Sequence, residues 1–316
     1  MTRTKKIIVA VLAIVIGLPV AFVATLLAWI SIVDKTNGTI ISSGETRHYL
    51  LYVPKTYHPS KPAPLVISLH PAASWPALQM ELSRWNEVAD EHGFIVVYPS
   101  GTGLFGTRPW RPRSPRIWRV APRRVERDIT FISDLIDKLE TDYNIDPTRI
   151  YADGASNGGG MAFAVSCRLA HRVAAVGAVA AAQTLPFDWC GDAGPVPVVT
   201  FHGTGDPMVS YLGGPSGDPI NPRILPAVRD WVANWARRNR CTGDPVEARV
   251  TASVRRLAYS GCAENADVML YTVEGGGHTW PGGKPLPEWF VGPTTREISA
   301  SRVLWEFYRQ HPRAPK

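Results

Sequence analysis

The chain is 316 residues long, 45% of them hydrophobic, and its 34 lysines and arginines exceed its 27 acidic residues for a formal charge of +7. Its cysteines and histidines show neither a C-x2-C nor an H-E-x-x-H spacing, which argues against a zinc site. From Asp34 to Lys316 the length suits one large α/β domain rather than two, and no internal repeat or low-complexity tract is evident.

At the N-terminus, Arg3, Lys5 and Lys6 precede an uncharged, mostly apolar run from Ile7 to Val33. That run is longer than the ~20 residues that span a bilayer and longer than a usual signal-peptide core. Residues 1–33 therefore read as a transmembrane signal anchor. The basic flank keeps the N-terminus cytoplasmic and sends residues 34–316 to the extracytoplasmic side. A cleaved signal peptide releasing a secreted protein is the alternative. Beyond it, strand-like runs are expected at Tyr49–Val53, Leu65–Leu69, Phe94–Tyr98, Arg149–Ala152, Ala174–Ala180, Pro197–Phe201 and Val268–Val273. Helical patterns fall at Ala77–Glu91, Glu126–Thr141, Gly158–Leu169, Leu225–Arg238 and Thr295–His311. Such alternation predicts an α/β fold, a mainly parallel sheet with helices on both faces.

Two segments interrupt the pattern. Eight arginines lie between Arg108 and Arg127, interleaved with prolines and with Trp110 and Trp118. They are suited either to an anionic polymer or phospholipid headgroup, or simply to a solvated loop paired with acidic neighbours. Nucleic acid is disfavoured as a partner because the domain is expected outside the cell. The second segment, Leu212 to Pro226, is rich in glycine and proline and reads as a pocket wall or a surface loop.

The chemistry is carried by Gly154-Ala155-Ser156-Asn157-Gly158. A serine on a sharp strand-to-helix turn exposes its hydroxyl, and glycines two residues to either side let neighbouring backbone pass without a Cβ clash. Arg149–Ala152 supplies the strand before it and Met161–Val165 the helix after it. The segment reads as a nucleophile elbow, and an α/β-hydrolase fold should then supply an acid and a histidine later in the chain. Asp206 follows the apolar run Val198–Phe201 in a Gly-rich loop, and His278 follows Val268–Val273 in Gly275-Gly276-Gly277. His202 is the rival base, but it precedes Asp206 and breaks the expected order.

The G-A-S-N-G-G elbow, the H-G-T-x-D-P loop at 202–207 and the G-G-G-H-T-W-P-G-G loop at 275–283 together resemble the polyhydroxybutyrate depolymerase-like esterases, which are similar to the feruloyl and acetyl xylan esterase branch of the α/β-hydrolases. The resemblance covers most of the chain. It implies Ser156 as nucleophile, His278 as general base and Asp206 as the acid that orients it, with no cofactor. It also implies an oxyanion hole built from the backbone N–H of Asn157 and one from the loop after Leu69. There the chain departs from the family, whose strand usually ends in His-Gly: here His70 is followed by Pro71, which has no N–H and a fixed φ. Ala72 or Ala73 is left to supply the second donor.

Four cysteines, Cys167, Cys190, Cys241 and Cys262, permit three pairings in an oxidising compartment, and their spacing does not choose. The resemblance favours Cys167 with Cys190 and Cys241 with Cys262. The resulting expectation is an exported serine esterase acting on short-chain, hydroxyalkanoate, feruloyl or acetyl esters, small or polymer-linked, with its oligomeric state open. An envelope acyltransferase using the same triad, or a catalytically weak envelope-binding protein, is the alternative.

Overall fold

The computed structural model describes residues 35–72, 74–101, 122–181, 185, 187–215 and 224–314. The expected membrane segment at 1–33, Ala73, most of the arginine-rich stretch and residues 216–223 lie outside them. Among the described residues no helix is long and apolar enough to cross a membrane.

The strands are β1 (Gly38–Ser42), β2 (Glu45–Tyr52), β3 (Ala63–Leu69), β4 (Ile95–Pro99), β5 (Ile145–Ala155), β6 (Ala175–Val179), β7 (Val198–Gly203), β8 (Gly214–Pro215), β9 (Ile224–Leu225), β10 (Val246–Arg249), β11 (Val254–Tyr259) and β12 (Val268–Val273). All but β8 and β9 join one sheet in the order β1-β2-β4-β3-β5-β6-β7-β12-β11-β10. From β4 to β12 neighbouring strands run parallel, with antiparallel β1 and β2 at one end and β11 and β10 at the other. Every residue of β3, β4, β6 and β7 is buried. That is the burial expected of parallel strands covered on both faces, and it explains why they read as continuous apolar runs.

The helices are α1 (Pro76–Ser83), α2 (Trp85–His92), α3 (Pro122–Asp142), α4 (Asn157–Arg168), α5 (Val228–Arg238), α6 (Glu288–Val291) and α7 (Ala300–Gln310). Because strand side chains alternate in direction, Leu65, Ile67 and Leu69 pack with α3, α4 and α5, where Phe131, Phe163, Trp231 and Trp235 lie. Val66, Val96, Tyr98 and Tyr151 face α2 and α7, against Trp85, Trp305 and Tyr308. On that face Phe94 stacks on Trp305 at 4.1 Å and Tyr151 on Tyr308 at 4.6 Å between ring centroids.

One buried ion pair ties α3 to the antiparallel end of the sheet. Arg47 of β2 donates to Asp128 at 2.9 Å and lies over the Phe131 ring at 4.0 Å. Two disulfides, Cys167–Cys190 and Cys241–Cys262, match the pairing that the resemblance implied. Each closes a loop of about twenty residues, worth ~3 kcal/mol in the chain-entropy account. The first fastens the end of α4, the helix that follows Ser156.

Several elements differ from the sequence expectation. The helix expected over Ala77–Glu91 is broken at Arg84, whose φ of 56° places it in the left-handed region and caps α1. α5 starts at Val228 rather than Leu225, because Leu225 pairs with Gly214 in the small β8–β9 ribbon. α7 starts at Ala300, where the Ser299 side chain accepts from the Arg302 N–H.

Candidate active site

Ser156 sits between β5 and α4 with φ 53° and ψ −116°, a strained conformation for a residue bearing a Cβ. The strain is held by packing. A Cβ on Gly154 would collide with the Gly158 backbone, and one on Gly158 with the Leu69 carbonyl, so the two glycines let the helix start press onto the ends of β5 and β3. The Ser156 N–H is tied across to Val179 O of β6 at 2.8 Å. The first N–H groups of α4, Asn157 among them, have no acceptor within the helix and point toward the serine turn.

Asp206 and His278 leave the same edge of the sheet. β5, β7 and β12 are parallel, so the loops after Ala155, Gly203 and Val273 all emerge at the C-terminal end of the sheet. The acid and base loops bind each other directly. Thr204 N donates to Val273 O at 2.9 Å, Gly205 N to Gly276 O at 2.9 Å, and Gly275 N to Thr204 Oγ1 at 2.8 Å. On its far side the histidine loop is strapped by α6 and the turn after it, with His278 N donating to Val291 O at 2.6 Å and Gly277 N to Pro293 O at 2.9 Å. This double support brings residues 72 positions apart into contact: His278 Nδ1 is 2.8 Å from Asp206 Oδ2.

The Asp206 side chain is fully buried. Its Oδ1 accepts from the N–H groups of Met208 and Val209, each at 2.8 Å, and its Oδ2 faces His278 and, at 3.3 Å, His202. Burial pushes the carboxyl up, but hydrogen bonds with His202 and His278 outweigh it and hold Asp206 well below the usual carboxylate range. An ionised Asp206 accepts from His278 Nδ1–H, which leaves Nε2 as the imidazole's proton acceptor.

The loop after β3 is fixed by His70. Its Nε2 accepts from Gly101 N–H at 3.0 Å, so the ring proton lies on Nδ1, which donates to Pro71 O at 2.8 Å. A buried neutral imidazole therefore ties down the carbonyl of Pro71, and Ala72 follows in a turn. This stiffening adds to that of the proline ring. Of the backbone donors expected for an oxyanion hole, Asn157 directly follows Ser156 at the start of α4 and Ala72 comes three residues after the end of β3, the strand paired with β5, while Ala73 is outside the described residues.

Sequence reasoning placed Ser156, Asp206 and His278 but treated His202 only as a competitor for the base. Its position four residues ahead of the acid, at the end of the strand that leads into the acid loop, was the available signal of a partner to Asp206. Another buried carboxyl, Asp153, lies in β5 three residues ahead of Ser156 and accepts from Ser68 Oγ at 2.6 Å. Burial pushes it up to about 7, with the Ser68 hydrogen bond only partly opposing the shift.

The parallel sheet with its serine turn and Asp–His pair defines an α/β-hydrolase fold. No family model matches the chain. Its curated homologues are esterases: it is 31% identical over 247 residues, 75% of its length, to feruloyl esterase B of Piromyces equi, of which it spans 44%. It is 25% identical over 286 residues, 86% of each chain, to feruloyl esterase D of Neurospora crassa. A poly(3-hydroxybutyrate) depolymerase of Ralstonia pickettii is also among its relatives. The acetyl xylan esterase from Aspergillus awamori shares the fold, with a TM-score of 0.57 over 77% of this chain and 93% of that one at 13% identity.

Proposed function

We propose that residues 34–316 form the catalytic domain of a serine carboxylic ester hydrolase. The observation that carries this reading is the strained Ser156 at a helix N-terminus, with a hydrogen-bonded Asp206–His278 pair leaving the same sheet edge. Ser156 Oγ attacks the ester carbonyl while His278 Nε2 takes its proton, and the Asn157 N–H with that of Ala72 or Ala73 receives the oxyanion. Collapse expels the alcohol, which takes the proton from His278. Water then attacks the acyl-enzyme by the same route and releases the acid. The names of the relatives favour feruloyl or acetyl esters, with hydroxyalkanoate esters next. The test is Ser156→Ala, for which a loss on the order of 10⁴-fold in ester turnover is expected with the fold intact. Activity within about tenfold of wild type would sink the assignment.

The domain is proposed to work outside the cytoplasm, tethered by residues 1–33. The two disulfides support an oxidising compartment. The full chain should stay with membranes after a carbonate wash, whereas recovery of a soluble protein whose N-terminus lies beyond Val33 would show a cleaved leader instead.

A further inference from the structure

His202 ends up fully buried at the C-terminal end of β7, with no place in the proton transfers just described. Its Nε2 is 2.8 Å from Val209 O and 3.3 Å from Asp206 Oδ2. A carbonyl oxygen only accepts, so the ring proton is on Nε2, and that one N–H serves Val209 while leaning toward the carboxylate. Nδ1 is buried without a partner, so a second proton there would be an unsatisfied buried donor. The surroundings thus accommodate the neutral ring in one tautomer.

Val209 is pinned from both ends, its N–H donating to Asp206 Oδ1 at 2.8 Å and its C=O accepting from His202. The result is a closed ring running from His202 through Val209 to Asp206. Counting Met208 N–H and His278, Asp206 faces four donors, two on each oxygen. Beyond His202 lies the Tyr211 ring, edge-on at 6.1 Å, its hydroxyl engaged with Thr272 Oγ1 at 2.8 Å.

We propose that His202 is a positioning residue for the Asp206–His278 pair, closing the 206–209 turn and fixing the carboxylate so that Oδ2 meets His278 Nδ1. The proposal rests on the reading of Asp206 and His278 as a catalytic pair. It gives a role to an imidazole buried at the end of β7: a ring N–H at that depth spans from the strand to the turn.

The test compares His202→Phe, which keeps a ring and loses the donor, with His202→Gln, whose Nε2 donors reach similarly far. Both are made in the full chain and assayed with a chromogenic short-chain ester across pH, with melting temperature as the control for folding. His202→Phe should lower kcat about 10- to 100-fold, the effect of losing a hydrogen bond to a charged group, with KM nearly unchanged. Its acid limb of kcat/KM should move to higher pH, because a carboxylate relieved of one donor favours the imidazolium of His278 more. His202→Gln should recover most of kcat and the original limb. A Phe variant with kcat within about threefold of wild type overturns the proposal. So does equal loss in both variants with an unmoved limb, which would assign His202 to packing alone. Should the Phe variant not fold, a Gln variant within about tenfold of wild type and with the wild-type acid limb supports the proposal, and a folded Gln variant losing more than about 100-fold overturns it. Failure of the underlying esterase reading shows separately, as an active Ser156→Ala enzyme.

Discussion

Asp206 and Asp153 are two buried carboxyls of one sheet, each close to the end of a parallel strand, and their surroundings drive them in opposite directions. Asp206 is met by two backbone N–H groups and two imidazoles and is held ionised. Asp153 accepts from Ser68 Oγ on one oxygen, while its other oxygen has no hydrogen-bond partner. Near it, Tyr308 spends its hydroxyl proton on Ala152 O at 3.2 Å, and Trp85 Nε1 finds no acceptor. Burial costs both groups the solvation of their charge, so the count of donors decides the outcome. The loop after β7 has turned backbone to offer. The interior of β5 does not, because its N–H groups belong to the sheet ladder.

The comparison is broken most severely at Asp206. In Asp206→Asn the amide oxygen still accepts from Met208 and Val209, but the NH2 group then points at His278 Nδ1 and demands an unprotonated nitrogen. That places the ring proton on Nε2, the nitrogen that has to take the Ser156 proton in the proposed mechanism, and so blocks general-base catalysis. In the proposed mechanism kcat falls about 10⁴-fold, the size of effect seen when a catalytic aspartate is so replaced in a serine protease. Steady-state kinetics with an activated ester measures it. A variant retaining kcat within about tenfold of wild type would show that Asp206 does not set the tautomer of a catalytic histidine.

The elbow and the order Ser156, Asp206, His278 were legible because the chemistry demands fixed residue types beside glycines, and a local turn leaves its mark in a short string of sequence. The buried strands were legible as apolar runs for the same local reason. The antiparallel strands β10 and β11 were not. In β11 the exposed Arg255 and the partly covered Arg256 follow one another between buried Val254 and Leu257, so no clean alternation marks a strand paired on both sides yet half-solvated. The break at Arg84 was equally hidden, since no glycine or proline announces it and the left-handed turn is imposed by how α1 and α2 must pack on β4. The roles of His202 and Asp153 depend on which groups face them from other elements. Chain order could only rank His202 as a second histidine, and Asp153 read as one more residue of the strand before the elbow.

The smaller and sharper test lies at Asp153, where the comparison becomes a statement about stability and pH. Its folded-state value, about 7, lies above the ordinary 3.8, so the folded protein binds this proton more tightly than the unfolded chain does. Its contribution to stability is therefore fully present below about pH 4 and is lost as pH rises through about 7. Asp153→Asn reproduces the shape of the neutral acid, with the amide NH2 standing where the carboxyl O–H would be, and it cannot ionise. The variant should lack that part of the wild-type decline, so its melting temperature gains on wild type between about pH 4 and pH 8. At about pH 8 it should melt higher by several degrees, at roughly 2–4 °C per kcal/mol for a domain of this size. Thermal melts of both proteins across that range decide the matter. Curves that run parallel would mean that folding does not raise the Asp153 pKa, and that its neighbours do for it what backbone amides and imidazoles do for Asp206.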